Sequence, residues 1–269
     1  MAQIESLTNT QPASGLTVNT ISFADISAAF AAGVNDFARR PLLSGLFGLI
    51  YATFGLILVT GLIVFDQIWM VIPAAVGFPL VAPFVAAGLY EMSRRFSANE
   101  SFAWRDIFLV VFKQRRREFG WMAFVVLFVF WVWVYQVRLL LALFLQWQSF
   151  SSLSGFIDVL ATTNGLLFLG VGTIVGGLLA TVLFSITVVA MPMLLDQEID
   201  FVSAMILSVK SVLANPMVML TWGLFVGLLV LIAMIPALVG VMFVLPILGH
   251  ATWHLYKRLI VETPTDASV

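Results

Sequence analysis

Long uninterrupted apolar runs are the feature of this sequence that most limits its fold. Three of them cover residues 42–65, 120–145 and 165–195. An α-helix rises 1.5 Å per residue, so about 20 apolar residues cross a hydrocarbon core of about 30 Å. Charged residues make up only 10% of the chain, whereas a soluble domain contains about 25%. The runs therefore predict helices that span a membrane.

Further apolar residues bring the number of predicted spans to six. The second span follows the first at residues 68–92, and two more share residues 217–258, with a turn around Pro236 and Gly240. Short segments with the spacing of interfacial amphipathic helices precede alternate spans. These segments lie at residues 21–40, 102–117 and 201–214. We therefore expect an all-α integral membrane protein.

The chain also shows an internal repeat. Asp25 and Pro41 are separated by the same interval as Asp200 and Pro216. Two hairpins end alike, because Pro83, Tyr90 and the pair Arg94-Arg95 recur as Pro246, Trp253 and Lys257-Arg258. We expect three units, each an interfacial amphipathic helix plus a helical hairpin. They cover residues 21–97, 101–197 and 199–260 of a single membrane domain (21–261), flanked by a disordered cytoplasmic tail (1–20) and a short tail (262–269).

Basic residues favour one face of the predicted bundle. Arg138 is the exception, and the opposite face carries Asp66 and Asp158. Because basic residues accumulate on the cytoplasmic side, we expect both termini in the cytoplasm. The basic clusters suit anionic lipid headgroups and are too short and too close to lipid for nucleic acid. The predicted headgroup contacts are Arg94, Arg95, Lys113, Arg115, Arg116 and Arg117.

Two histidines and a carboxylate form one candidate site. His250 and His254 are four residues apart and therefore share a helix face. Glu91 occupies the repeat position of His254 and could add a carboxylate, which would give a copper or zinc site. The alternative is that the histidines are polar fasteners between helices. Cysteine is absent, so thiolate metal sites and disulfides are excluded.

Other charged residues suggest two further groupings. Arg138 stands inside the third span, where a charge is costly, so pairing with Asp66 or Asp158 is expected, with a gating role as the alternative. Residues at the cytoplasmic ends of spans either line a vestibule or form an interfacial ion-pair network. The vestibule candidates are Arg94, Arg95, Asp196 and Lys257.

Several short motifs resemble one protein family. They are Val81-Ala82-Pro83, Gly88-Leu89-Tyr90-Glu91, Ser93-Arg94-Arg95, Pro192 with Asp196, and the run from Gly249 to Tyr256. From about Ile26 onward the chain is similar to the bacterial integral membrane proteins described as domain of unknown function 2189. Some members carry a cytochrome c oxidase label. A catalytic oxidase subunit needs more histidine ligands than the two present here, so the label implies at most an accessory role.

Three functions agree with these observations. The first is a non-enzymatic accessory, scaffold or assembly factor for a larger membrane complex, since no catalytic motif and no sizeable extramembrane domain is found. The second is a small-solute or lipid transporter, which proline-broken spans and repeats favour, although transporter repeats are commonly inverted. The third is a metal-binding redox protein that depends on His250 and His254.

Overall fold

The computed structural model describes residues 15–65, 67, 70, 74, 82–107, 116–146, 153–236 and 238–262. These residues form ten helices and a two-stranded sheet. The helices are α1 (Phe23–Arg39), α2 (Pro41–Val64), α3 (Ala82–Ser97), α4 (Arg116–Leu145), α5 (Leu153–Leu160), α6 (Thr163–Thr187), α7 (Ala190–Asp196), α8 (Phe201–Ala214), α9 (Pro216–Met234) and α10 (Val241–Leu259). The strands are β1 (Leu16–Val18) and β2 (Ile260–Glu262).

Four described segments are long and apolar enough to cross a membrane. They are Pro41–Val64, Glu118–Leu145, Thr163–Asp196 and Pro216–Met234, which match the first, third, fourth and fifth predicted spans. The helical membrane class is thereby confirmed. About half of the second predicted span, residues 68–69, 71–73 and 75–81, lies outside the described residues, and its last part forms the first turns of α3. The sixth corresponds to α10, which is not among the four because its second half carries two histidines, Lys257 and Arg258.

The long fourth segment breaks between α6 and α7. Proline disrupts a helix interior, which favours a break at Pro192, but α6 ends at Thr187 and α7 begins at Ala190. Ser208 Oγ of α8 accepts a hydrogen bond from the backbone N–H of Val189 at 3.1 Å, so a donor freed by the break is satisfied. Pro192 falls in the first turn of α7, where a helix tolerates a missing N–H.

The two ends of the described chain are paired. β1 is antiparallel to β2, with Leu16 opposite Glu262 and Val18 opposite Ile260. Part of the predicted tails is therefore ordered, because residues 16–18 and 262 are strand residues rather than disordered chain. Between β1 and α1, the backbone N–H of Ile21 donates to Asn215 Oδ1 at 2.8 Å, which anchors the start of the chain to the α8–α9 junction.

α10 is the central helix of the described fold. It packs against α1, α2 and α3. A Cβ atom placed on Gly33 of α1 would lie 2.6 Å from the backbone nitrogen of Ala251, and one on Gly48 of α2 would lie 2.0 Å from the carbonyl oxygen of Met242. Glycine is required at both positions because the helix backbones touch there. This close approach brings polar residues of α1, α2 and α3 onto one side of α10.

The two best-matched repeat units share a junction. Arg40 links α1 to α2 with φ −141° and ψ 64°, and Asn215 links α8 to α9 with φ −131° and ψ 51°. In each unit a proline opens the second helix, at Pro41 and Pro216. The similarity is confined to the junction, because Asp25 is the third residue of α1 whereas Asp200 is the N-cap of α8.

Candidate functional site

His250 is fully buried and both of its ring nitrogens are engaged. Its Nε2 lies 3.0 Å from Ser44 Oγ of α2, and its Nδ1 lies 2.7 Å from Ser93 Oγ of α3. Both serines are themselves buried. The histidine thus joins three helices through two hydroxyl groups, which agrees with the predicted role of a polar fastener.

Asp36 of α1 extends these contacts into a chain of five side chains. Its Oδ2 accepts a hydrogen bond from Ser93 Oγ at 2.7 Å and lies 2.7 Å from His254 Nε2. Asp36 is only 3% exposed, while the side chain of His254 is 21% exposed. We refer to Ser44, His250, Ser93, Asp36 and His254 as the polar chain.

The polar chain has one proton arrangement in which every contact is satisfied with Asp36 ionised and His250 neutral. His254 Nε2–H and the Ser93 hydroxyl donate to the carboxylate, so Ser93 accepts from Nδ1–H of His250, and Nε2 of His250 accepts from Ser44. Burial raises the pKa of Asp36, but the hydrogen bonds from His254 and Ser93 outweigh it, and the pKa stays below the ordinary value of 3.8. A buried network of this kind fixes helix positions.

Glu91 does not join the histidines. Its carboxylate accepts hydrogen bonds from Nε and Nη2 of Arg94 at 2.7 and 2.8 Å, and from Nε of Arg95 at 2.6 Å. Asp36 is instead the carboxylate that contacts His254. Among the described residues no group of three or more histidine or acidic side chains is placed to hold a metal ion. Glu91 pairs with the two arginines because they follow it in the same helix at i+3 and i+4, positions whose side chains are adjacent.

The predicted vestibule residues form two ion-pair clusters. One is the Glu91 cluster with Arg94 and Arg95. In the other, Asp196 Oδ2 accepts from Tyr256 Oη at 2.7 Å and lies 3.1 Å from Lys257 Nζ. The charge of Asp196 also acts on Arg94 through space. The geometry is therefore that of the predicted interfacial ion-pair network.

The remaining predicted residues are spread over the described fold and beyond it. Arg138 of α4 and Asp158 of α5 both have exposed side chains. Asp66, Lys113 and Arg115 lie outside the described residues, as do the side chains of Arg116 and Arg117. Pairing of Arg138 with an aspartate stays a prediction.

A large apolar cavity was not foreseen from the sequence. It has a volume of about 900 Å³ and lies between α4, α6, α9 and α10, with Tyr51 of α2 and Tyr90 of α3 in its wall. Its lining on α6 runs from Phe168 to Val188, which at 1.5 Å per residue is about 30 Å, the thickness of a hydrocarbon core. The cavity has the volume of a ligand pocket.

Glycines keep the cavity open. Gly177 of α6 and Gly227 of α9 line it, and a Cβ atom at either position would meet nothing within 4 Å. The same helices also carry Gly172 and Gly176, which face Leu140 and Trp133 of α4. Glycines in membrane helices commonly permit close helix approach; Gly176 does so, whereas Gly177 and Gly227 leave open space. The sequence gives no sign of the cavity, because it does not show whether space is left open beside a glycine.

Comparison with known proteins adds one finding. Residues 71–196 match the family model described as predicted integral membrane protein, DUF2189. The chain carries a DUF2189 segment. The resemblance inferred from the short motifs is confirmed over this range. No curated protein and no solved structure matches the chain.

The DUF2189 segment contributes more to the cavity and the ion-pair clusters than to the polar chain. It contains the Glu91 cluster and Asp196, together with α4 and α6, which line one side of the cavity. Of the polar chain it contains only Ser93, since the other four members lie before residue 71 or after residue 196. The polar chain therefore joins the DUF2189 segment to the two ends of the protein.

Proposed function

We propose that the protein is a multi-pass membrane protein that binds the apolar chains of a lipid in the cavity, as a lipid carrier or transporter would. The observation that carries this proposal is the cavity itself, about 900 Å³ in volume and as deep as a hydrocarbon core. Of the two transport substrates predicted from the sequence, lipid is favoured over a hydrophilic solute.

The preference for lipid rests on the cavity wall. Three of its four threonines offer no free donor, because the hydroxyls of Thr181, Thr187 and Thr252 each donate to a carbonyl four residues earlier in their own helix. Few other polar side chains reach the cavity, Thr173 and Gln136 among them. The rest of the wall consists mostly of leucine, valine, glycine and aromatic side chains. A polar solute would lose its hydration with few replacement hydrogen bonds, and each polar group left unpaired would cost roughly 2–7 kcal/mol.

The entrance supports the same substrate class. Gly177 on α6 and Leu224, Gly227 and Leu228 on α9 both line the cavity and are exposed on the protein surface. α6 and α9 are candidate membrane spans. An opening between them faces the bilayer interior, so a lipid chain can enter sideways without crossing water.

The proposal includes a topology. It has six spans in three repeated units, inserted in the inner membrane with both termini cytoplasmic. The pairing of β1 with β2 supports an even number of crossings, since chain ends that share a sheet lie on one side of a bilayer. The common junctions at Arg40 and Asn215 support the repeat. Contacts of Arg94, Arg95, Lys113, Arg115, Arg116 and Arg117 with anionic headgroups belong to the same proposal.

The test places a larger side chain in the cavity, either from α6 or from α9. Leucine at Gly177 or Gly227 enters open space and improves helix propensity, so the fold should be retained. Gly170→Leu is the matched control, because Gly170 is also exposed on α6 with nothing within 4 Å, yet it does not line the cavity. Native mass spectrometry of protein extracted in mild detergent then counts bound lipids.

The expected result is one or more lipids retained by the wild type and by Gly170→Leu, and lost from Gly177→Leu and Gly227→Leu. Equal lipid retention in all four proteins would overturn the proposal. The same spectra test the alternative role as an accessory or assembly factor, which requires a protein partner at fixed stoichiometry. An optical spectrum of the preparation tests the third role, that of a metal-binding redox protein.

A further inference from the structure

Two aromatic rings near the end of α3 hold three guanidinium groups. The rings of Phe96 and Phe102 are 5.3 Å apart between centroids. Arg39 lies 5.4 Å from the centre of the Phe96 ring. Arg40 and Arg95 lie 5.1 and 5.9 Å from the centre of the Phe102 ring. Contact with a ring face orients a guanidinium while leaving its N–H groups available to another partner.

The carboxylates near these rings pair with some of the arginines and not with others. Glu91 is occupied by Arg94 and Arg95, and Glu100 lies 3.8 Å from Arg94. Asp36 lies 3.8 Å from Arg39 while its other oxygen serves the polar chain. Arg40 has no carboxylate partner in the described part of the chain, where its one interaction is with Phe102. The surface therefore has a cation in excess, centred on Arg40.

The position of Arg40 selects the kind of anion. It directly precedes Pro41, the first residue of a candidate span, and the next residue, Leu42, is 91% exposed. The exposed apolar helix begins where the guanidinium is held. In the topology proposed above, this is the border between hydrocarbon and water, where the phosphates of phospholipids lie.

We propose that Arg40, assisted by Arg39, binds the phosphate of an anionic phospholipid on the platform of Phe96 and Phe102. The planar fork of arginine matches the oxygens of a phosphate. Arg94 and Arg95, two of the headgroup contacts predicted from the sequence, are paired with Glu91 and Glu100 and are therefore not the main ligands of this site. The site lies on α1, α2 and α3 and is independent of lipid binding in the cavity.

The experiment uses the full chain with Gly177→Leu, so that lipid binding in the cavity is reduced and the remaining binding reports mainly the arginine site. Delipidated protein in neutral detergent is titrated with phosphatidylglycerol, with phosphatidylcholine or with inorganic phosphate, and bound lipid is measured by native mass spectrometry. The variants are Arg40→Gln, Arg40→Lys and Arg39→Gln with Arg40→Gln. Arg258→Gln is the control, because Arg258 is also an exposed interfacial arginine but pairs with Asp25.

Phosphatidylglycerol should bind more tightly than phosphatidylcholine. Arg40→Gln should weaken its binding about fivefold and the double variant further, as expected for about 1 kcal/mol per basic residue. Arg40→Lys should fall between, and Arg258→Gln should bind as the parent does. Equal affinity for the two lipids, equal losses in Arg40→Gln and Arg258→Gln, or displacement of the lipid by millimolar inorganic phosphate would each overturn the proposal. The melting temperature without lipid confirms that the variants are folded.

Discussion

His254 Nε2 lies 2.7 Å from Asp36 Oδ2, although 218 residues separate the two along the chain. Ser93 donates to the same carboxylate oxygen. The contact ties α1, the first helix of the described fold, to α10, the last. Because Asp36 and Ser93 are both buried, water cannot reach the serine hydroxyl to replace the carboxylate, whereas His254 is partly exposed.

Replacing Asp36 tests how much the polar chain contributes to the stability of the fold. Asp36→Ala leaves Ser93 and His254 without their acceptor and should lower the free energy of unfolding by about 3–5 kcal/mol, the usual cost of breaking a buried charged contact. Asp36→Asn retains an acceptor oxygen and should lose less. Thermal unfolding in detergent, followed by tryptophan fluorescence, measures both. Glu100→Ala removes a carboxylate that is 47% exposed and should behave nearly like the wild type; a melting temperature that fell as far in this control would contradict the assignment.

Acid should weaken the fold through the same carboxyl. The pKa of Asp36 is lower in the folded protein than its ordinary value of 3.8. A depressed carboxyl pKa contributes stability above the unfolded value, and that contribution is lost as the pH falls through the folded value. The melting temperature of the wild type should therefore drop below about pH 4, and part of this drop should be missing in Asp36→Asn. Parallel melting curves against pH for the two proteins would argue against it.

Gly48 should not tolerate a methyl group. A Cβ atom there would lie 2.0 Å from the carbonyl oxygen of Met242, so α2 and α10 would have to separate. Gly48→Ala should cost about 1–3 kcal/mol, as overpacking does. Gly45 lies three residues earlier in the same helix with open space around its Cβ position, so Gly45→Ala should be neutral or slightly stabilising. The melting temperatures of the two variants show whether steric contact or helix propensity determines the effect of alanine at each position.

Glu91→Gln should destabilise the end of α3. The substitution keeps the volume but removes the charge that holds Arg94 and Arg95, and hydrogen bonds to charged groups contribute about 1.5–3 kcal/mol. Part of that is screened, because the side chain of Arg94 is 34% exposed. Glu100→Gln provides the comparison, since Glu100 is 47% exposed and 3.8 Å from Arg94. Melting temperatures should fall only for Glu91→Gln.

The strand pairing at the chain ends can be tested by cross-linking. The natural chain has no cysteine, so an engineered pair reports one distance only. Thr17 lies opposite Val261, and Thr17→Cys with Val261→Cys should form a disulfide under mild oxidation. Thr17→Cys with Gln146→Cys, a position at the far end of α4, should not. Reporter tags on the two termini should also reach the same side of the membrane.

Local patterns predicted the elements well and their partners poorly. Span length and the Asn215-Pro216 boundary are visible in the sequence because they depend on consecutive residues. The shared face of His250 and His254 is likewise a matter of helical spacing. Nothing in the sequence indicated that Asp36 is buried against α10, because a carboxylate on the polar side of an amphipathic helix is normally solvated. Only the neighbouring Gly33, which lets α10 approach, hints that this face is covered.

The carboxylate partner of the histidines was misassigned for a physical reason. The repeat places Glu91 at the position of His254, but repeat equivalence puts residues at the same place in different units and does not bring them together. Glu91 has two arginines within one helical turn, and these nearby charges satisfy it first. Cavities are harder still, because a glycine that permits contact and one that leaves space are the same letter in the sequence.

The close packing of α1 on α10 also sets an order of events during biosynthesis. The groove that receives Gly33 and Asp36 does not exist until the last helix has left the ribosome and entered the bilayer. The first segment to be made must therefore wait beside the membrane and dock last, so any truncated product that lacks the final helix would expose an undocked N-terminal segment to the quality-control proteases of the cell.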